Sequence, residues 1–193
     1  MVRDCGTKRA VPPQTARKPR PPLNADSLSE LALRYVGRFA TTRAKLRSYL
    51  TRKLRERGWS GDLAPDVDAL AERFAASGYI DDSAYALAKS RSLVARGYGE
   101  ARLRQSLRVA GVEEDDGAAA RELAADEAAD SALRFARRRR IGPYAGEKAD
   151  LRAREKAIAA MIRAGHNFDL ARKIVDMEPG TIVQPDDLRA IGN

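Results

Sequence analysis

The sequence predicts an all-α protein built as an array of helical repeats, on three observations. Ala, Leu, Arg and Glu are abundant, β-branched residues are sparse, and no segment reads as a strand. Similar stretches recur about fifty residues apart: ELALRYVGRF at 30–39, DSAYALAKSR at 82–91 and DSALRFARRR at 130–139. The helix after each stretch stops at a glycine, Gly58, Gly111 or Gly165, with Leu54, Leu107 or Met161 four residues earlier. Units of this kind stack, share cores with their neighbours and leave one long face for a partner.

The elements follow in order. Residues 1–26 hold the proline-rich, basic VPPQTARKPRPP and are expected to form a disordered tail. Ser27 and Glu30 have capping-box spacing, and Leu28, Leu31, Ala32, Tyr35, Val36 and Phe39 recur at helical spacing. Thr41 or Thr42 caps the next helix, which carries Leu46, Leu50 and Leu54. Pro65 suits the first turn of a helix bearing Val67, Leu70, Ala71, Phe74 and Ala75, stopped by Gly78. Asp81 or Asp82 caps the following helix, closed by Gly97 and Gly99. Leu103 and Leu107 mark one ending at Gly111. The third pass runs through RELAADEAADSALRFARRRR, breaks at IGPYAG, and continues through LRAREKAIAAMIRAG into the short helix NFDLARKIVDM. Pro179, Gly180 and Pro185 mark a loose end. The expected organisation is a tail at 1–26, repeats at 27–63, 64–116 and 117–177, and a C-terminal tail at 178–193.

The 193-residue chain has a formal net charge of +9, so an acidic partner is expected. Between 34 and 57 the basic residues face Glu56 alone, while 113–130 is strongly acidic. Arg34, Arg38, Arg43, Lys45, Arg47 and Arg52 are the candidate electrostatic footprint. The run Arg137–Arg140 spans more than a helical turn and is expected to pair with the acidic stretch. Tyr35, Phe74, Tyr85 and Phe135 fall on apolar faces and are assigned to the core. Tyr49, between Arg47 and Arg52, is the candidate for stacking on bases.

Little in the chain points to catalysis. There is no phosphate-binding glycine loop and no nucleophile elbow. His166 is the sole histidine, expected at a helix cap or on the surface, so no metal site and no cofactor are expected. Cys5 is the lone cysteine, in the tail, which excludes an internal disulfide and fits a reducing compartment. With no apolar run near the roughly 18 residues of a membrane span and no secretory h-region, a soluble cytoplasmic protein is expected.

GYIDDSAYA at 78–86, with VDALAERF before it and GYGEARLRQSLRVAGV after it, resembles the central motif of the RecX family. The matching positions are Gly78, Asp81, Asp82, Tyr85 and Gly99. ALRYVGRFATTRAKLRSYLTRKLRERG is similar to that family's first repeat, and ALRFARRRRIGPYA with KAIAAMIRAGHNFDLARKIV to its third. The resemblance implies three tandem three-helix units in an elongated, curved array. It also implies a non-enzymatic modulator, mainly an inhibitor, of the RecA recombinase. Its partners would be the RecA filament and single-stranded DNA, met directly or through the filament, with no membrane involved and the protein a monomer. The family restrains the filament's ATP hydrolysis, strand exchange and SOS co-protease function. Two other readings stay open: a stand-alone helix-turn-helix DNA-binding regulator, and a metal-dependent nuclease using Asp81 and Asp82.

Overall fold

The computed structural model describes residues 20–189. Their regular structure is helical: α1 Ala25–Val36, α2 Arg43–Arg57, α3 Val67–Ala76, α4 Asp82–Ala95, α5 Glu100–Ala110, α6 Ala118–Asp126, α7 Ala128–Arg139, α8 Leu151–Arg163, α9 Phe168–Val175 and α10 Asp186–Arg189. A 3-10 turn at Gly142–Tyr144 links α7 to α8. Cys5 and most of the expected N-terminal tail lie outside the described residues.

Local chemistry explains most helix starts. Asn24 caps α1 in a reciprocal box with Ser27, one turn earlier than the expected Ser27–Glu30 box. Thr42 caps α2, Asp66 caps α3, and Asp81 caps α4. Pro65 therefore precedes the α3 cap rather than sitting in the first turn. The acidic third pass breaks at Glu127 into α6 and α7.

The apolar side chains gather in three clusters. Leu28, Ala32, Leu46, Leu50, Leu70 and Phe74 join α1, α2 and α3. Ala86, Leu93, Leu103, Leu107, Ala120 and Ala124 join α4, α5 and α6. Leu133, Phe135, Ile158, Met161, Ile174 and Leu188 join α7 to α10. Packing thus has the period of the sequence repeat but a different phase. The recurring stretch forms the first helix of each cluster, and α3 packs with α1 and α2, whereas the boundary after residue 63 assigns it to the second repeat.

Both ends are ordered further than expected. Leu23 is fully buried, its N–H donating to the Gly58 carbonyl at 3.0 Å and its carbonyl accepting from Ser60 N–H at 2.8 Å. Burying one leucine beside Trp59 orders the chain ahead of α1. At the other end Leu188 is buried in the third cluster and Arg189 pairs with Asp130 at 3.2 Å.

Adjacent clusters are joined by close backbone contacts. Thr42 Oγ1 donates to the Ala110 carbonyl at 2.6 Å, setting the start of α2 on the end of α5. Gly99 N–H donates to the Ala164 carbonyl at 3.0 Å, and Ala101 N–H to the Gly165 carbonyl at 3.1 Å, setting the end of α8 on the start of α5. A Cβ on Gly99 would lie 2.2 Å from the Gly165 carbonyl oxygen, so only glycine permits this approach.

The arginine run does not meet the acidic stretch. Among the described residues Arg137, Arg138, Arg139 and Arg140 have no carboxylate within ion-pair distance. The stretch pairs elsewhere: Asp116 with Arg43, Glu114 with Arg121, Glu127 with Arg134 and Asp130 with Arg189. Arg137 lies over Tyr144, and Arg138 over Phe135. The run ends α7, away from the loop before α6, and aromatic faces take the place of carboxylates there.

Candidate partner-binding surface

Most of the sequence-predicted cations sit on α2, whose Leu46 and Leu50 face inward and leave the basic residues at the helix flanks. They divide into two sets. Arg43, Lys45 and Arg47 turn into the corner between α2, α3 and α4. The Arg43 backbone N–H donates to Asp82 Oδ1 at 3.0 Å, and its Nε to Oδ2 at 3.2 Å. Its Nη2 donates to Asp116 at 2.5 Å, and Nη1 lies 3.5 Å from Glu72. The hydrogen bond to Asp82 raises the Arg43 pKa above its ordinary value; burial opposes the rise, and the charges of Asp82, Asp116 and Glu72 add to it. Arg47 lies between Glu72 at 2.5 Å and Asp68 at 2.9 Å. Its Nε–H does not point along the line to Asp68, so that contact is ionic rather than a hydrogen bond. Lys45 Nζ donates to the Tyr85 hydroxyl and lies 4.3 Å from the ring centroid.

The second set faces solvent. The Arg34 side chain is 71% exposed and, among the described residues, pairs only with Glu30, one turn back on α1. Arg52 is 63% exposed, with Glu56 at 3.7 Å. Arg38 is exposed and has no carboxylate within ion-pair distance among the described residues.

An aromatic string lies beside these cations. The Tyr35 and Tyr49 rings stack at 4.3 Å with 12° between planes, and Phe39 meets Tyr35 at 5.5 Å. Arg52 and Lys53 lie 5.7 and 5.9 Å from the Tyr49 centroid. Tyr35 is half-buried at the edge of the first cluster, and Phe39 is 57% exposed. Sequence reasoning singled out Tyr49 and placed Tyr35 and Phe39 on the apolar face of the helix, whereas Phe39 lies beyond the end of α1 and is exposed. Phe39 follows the Gly37 stop of α1, where helical periodicity no longer marks which way a side chain points.

Two residues of the family motif, Asp82 and Tyr85, clasp the first cluster to the second, while Gly78 and Asp81 shape the turn before α4 and Gly99 sits at the second junction. Gly78, at φ +77°, ends α3, and Tyr79 N–H donates back to the Phe74 carbonyl at 3.0 Å. Asp81 accepts from Ala84 N–H at 2.7 Å. Asp82, 5% exposed, receives Arg43, and Tyr85 receives Lys45. Gly99 opens α5 against α8.

His166 is buried at the second junction, 6% exposed, rather than on the surface. The end of α8 packs onto the Gly97–Gly99 turn and carries the ring inside. Its Nε2 lies 3.2 Å from the Gly97 carbonyl and donates to it, so Nδ1 holds the lone pair. Burial lowers its pKa to about 4, and the Gly97 hydrogen bond opposes that shift.

A family model described as RecX, second three-helix domain, matches residues 81–120, beginning at the two motif aspartates. The chain is 33% identical over 162 residues to Regulatory protein RecX of Myxococcus xanthus (strain DK1622), covering 79% of this chain and 86% of that protein. It is 33% identical over 141 residues to Regulatory protein RecX of Agrobacterium fabrum (strain C58), covering 70% and 74%. The crystal structure of RecX from Lactobacillus salivarius is similar at a TM-score of 0.56 with 18% identity, over 78% of this chain and 93% of that one. A crystal structure of regulatory protein RecX is similar at a TM-score of 0.54 with 23% identity, over 78% and 70%. At these identities the two structures speak to the fold.

Proposed function

This chain belongs to the RecX family, and from that premise we propose that it regulates RecA by binding the filament on single-stranded DNA. The reading is of a non-enzymatic regulator that restrains ATP hydrolysis, strand exchange and SOS co-protease function. The observation that carries it is the pair of clasped junctions. Arg43–Asp82 locks the first cluster to the second, and Gly99–Gly165 locks the second to the third. A helical array held stiffly at both junctions can span neighbouring recombinase subunits. It would oppose the movements that accompany ATP turnover by favouring one filament state.

In this reading Arg34, Arg38 and Arg52, beside the Phe39–Tyr35–Tyr49 string, face DNA phosphates or acidic recombinase surface. Arg43, Lys45 and Arg47 hold the array in shape. The deciding experiment is RecA ATP hydrolysis on single-stranded DNA, with this protein titrated in. Inhibition well below one molecule per recombinase supports filament regulation. Inhibition only at coating amounts indicates competition for the strand. No effect from folded protein overturns the reading.

A further inference from the structure

The third cluster contains a cleft that plays no part in the junctions. It lies between the end of α7, the 3-10 turn, α8 and the segment after α9, with a volume of about 660 Å³. That is within the range of small-molecule sites, about 300–1,000 Å³. Ala153, Ala157 and Ala160 give it an apolar wall, with Val175 and Met177. Arg139, Arg140, Lys156 and Arg163 line it, all four exposed and without a carboxylate in ion-pair range among the described residues. Two further cations at the cleft are already engaged. Arg154 grips Asp176 through two bonds of 2.5 and 2.8 Å, and Lys148 pairs with Glu178. The remaining lining carboxylate is Glu147.

The backbone supplies a second, independent observation. Arg140 ends α7 in the left-handed conformation, at φ 53° and ψ 53°. It is the one non-glycine residue with positive φ among those described. The turn after α4, the corresponding helix of the preceding cluster, has Gly97 at φ +73°. Glycine would satisfy this turn without strain, yet the chain places an arginine there, and the side chain lines the cleft. Arg137 and Arg138 are engaged with Tyr144, Phe135 and the Arg96 carbonyl; Arg139, also 5.9 Å from the Phe135 centroid, and Arg140 line the cleft without a carboxylate partner among the described residues.

We propose that this cleft binds an oligophosphate group, either the triphosphate of a nucleotide or consecutive phosphates of a strand. Four unmatched cations around one cavity repel one another, and closely spaced anionic oxygens relieve that repulsion. The guanidinium fork matches phosphate oxygens bidentately, and the alanine wall accepts a sugar or base face. An acidic peptide would leave backbone amides against alanine side chains that cannot bond them. The site goes beyond the recombinase-regulating surface on the first cluster, and its test needs no recombinase.

Calorimetric titration of the whole chain with inorganic tripolyphosphate, ATP and a short thymidine oligonucleotide tests it. Saturable one-to-one binding is expected, weakened roughly tenfold or more in the Lys156→Ala, Arg163→Ala double variant. Arg140→Gly should also weaken binding while raising the melting temperature, because it removes the strained side chain. Binding of tripolyphosphate and ATP with mutual displacement assigns the site to free oligophosphates. Binding of the oligonucleotide alone, lost in the same variants, assigns it to strand phosphates. Absence of binding, equal binding in all variants, or equal displacement by oligoglutamate overturns the proposal.

Discussion

The carboxylate of Asp82 holds Arg43 twice, accepting from its backbone N–H at 3.0 Å and from its Nε at 3.2 Å. A residue at the start of α4 thereby caps the first turn of α2, and one of the six cations expected to meet a polyanion ties two clusters together. Asp82 is almost completely enclosed while Arg43 keeps partial access to water, so the pair carries a real desolvation cost, offset by a nearly complete set of partners.

Removing that carboxylate should loosen the junction. Asp82→Ala removes two hydrogen bonds from Arg43, which keeps Asp116 and partial access to water, and is expected to cost about 2–3 kcal/mol. Asp82→Asn keeps an acceptor for the backbone N–H and should cost less, about 1–2 kcal/mol. Urea denaturation reads both. An unchanged midpoint in Asp82→Ala would show that the clasp does not support the fold.

At the other junction, Gly99→Ala forces a methyl group to 2.2 Å from the Gly165 carbonyl oxygen. Both elements must shift, at an expected cost of about 1–3 kcal/mol. Hydrogen exchange should show the amides at position 99 and at Ala101, which donate to the Ala164 and Gly165 carbonyls, losing protection ahead of those in α2. Uniform protection across the variant would contradict a local clash.

His166 makes stability depend on pH. Its folded pKa of about 4 lies below the ordinary 6.5, so the unfolded chain binds the proton more tightly. The stabilisation from its neutral, buried ring is present in full above pH 6.5 and is lost as pH falls toward 4, amounting to roughly 3 kcal/mol. His166→Gln should flatten that part of the stability–pH curve. A slope that persists unchanged in the variant would move the titration to another group.

Arg38→Glu with Arg52→Glu should weaken binding to the RecA filament without moving the urea midpoint, whereas Arg43→Ala should lower the midpoint. If Arg34, Arg38 and Arg52 contact phosphate, the salt slope on single strands is about −2. A slope near zero with intact filament binding would place these arginines against protein instead.

Much of the architecture was legible along the chain because it is written in local chemistry. Thr42 and Asp81 cap the helices that follow them, and Gly58, Gly111 and Gly165 stop theirs, since these preferences depend on a few neighbouring residues. The period, the all-helical class and the likeness of GYIDDSAYA to a known family needed no coordinates. Tertiary structure decided the phase of the repeat, the burial of Leu23 and His166, and which cations are free. The carboxylates around Arg43 lie 29, 39 and 73 positions away, and the sequence contains many other acids of equal chemistry. Charge pairing is set by which helix ends are brought together, and that in turn rests on contacts such as Gly99 against Gly165. A one-dimensional pattern carries the propensity of each helix; only packing selects the partner of each charge.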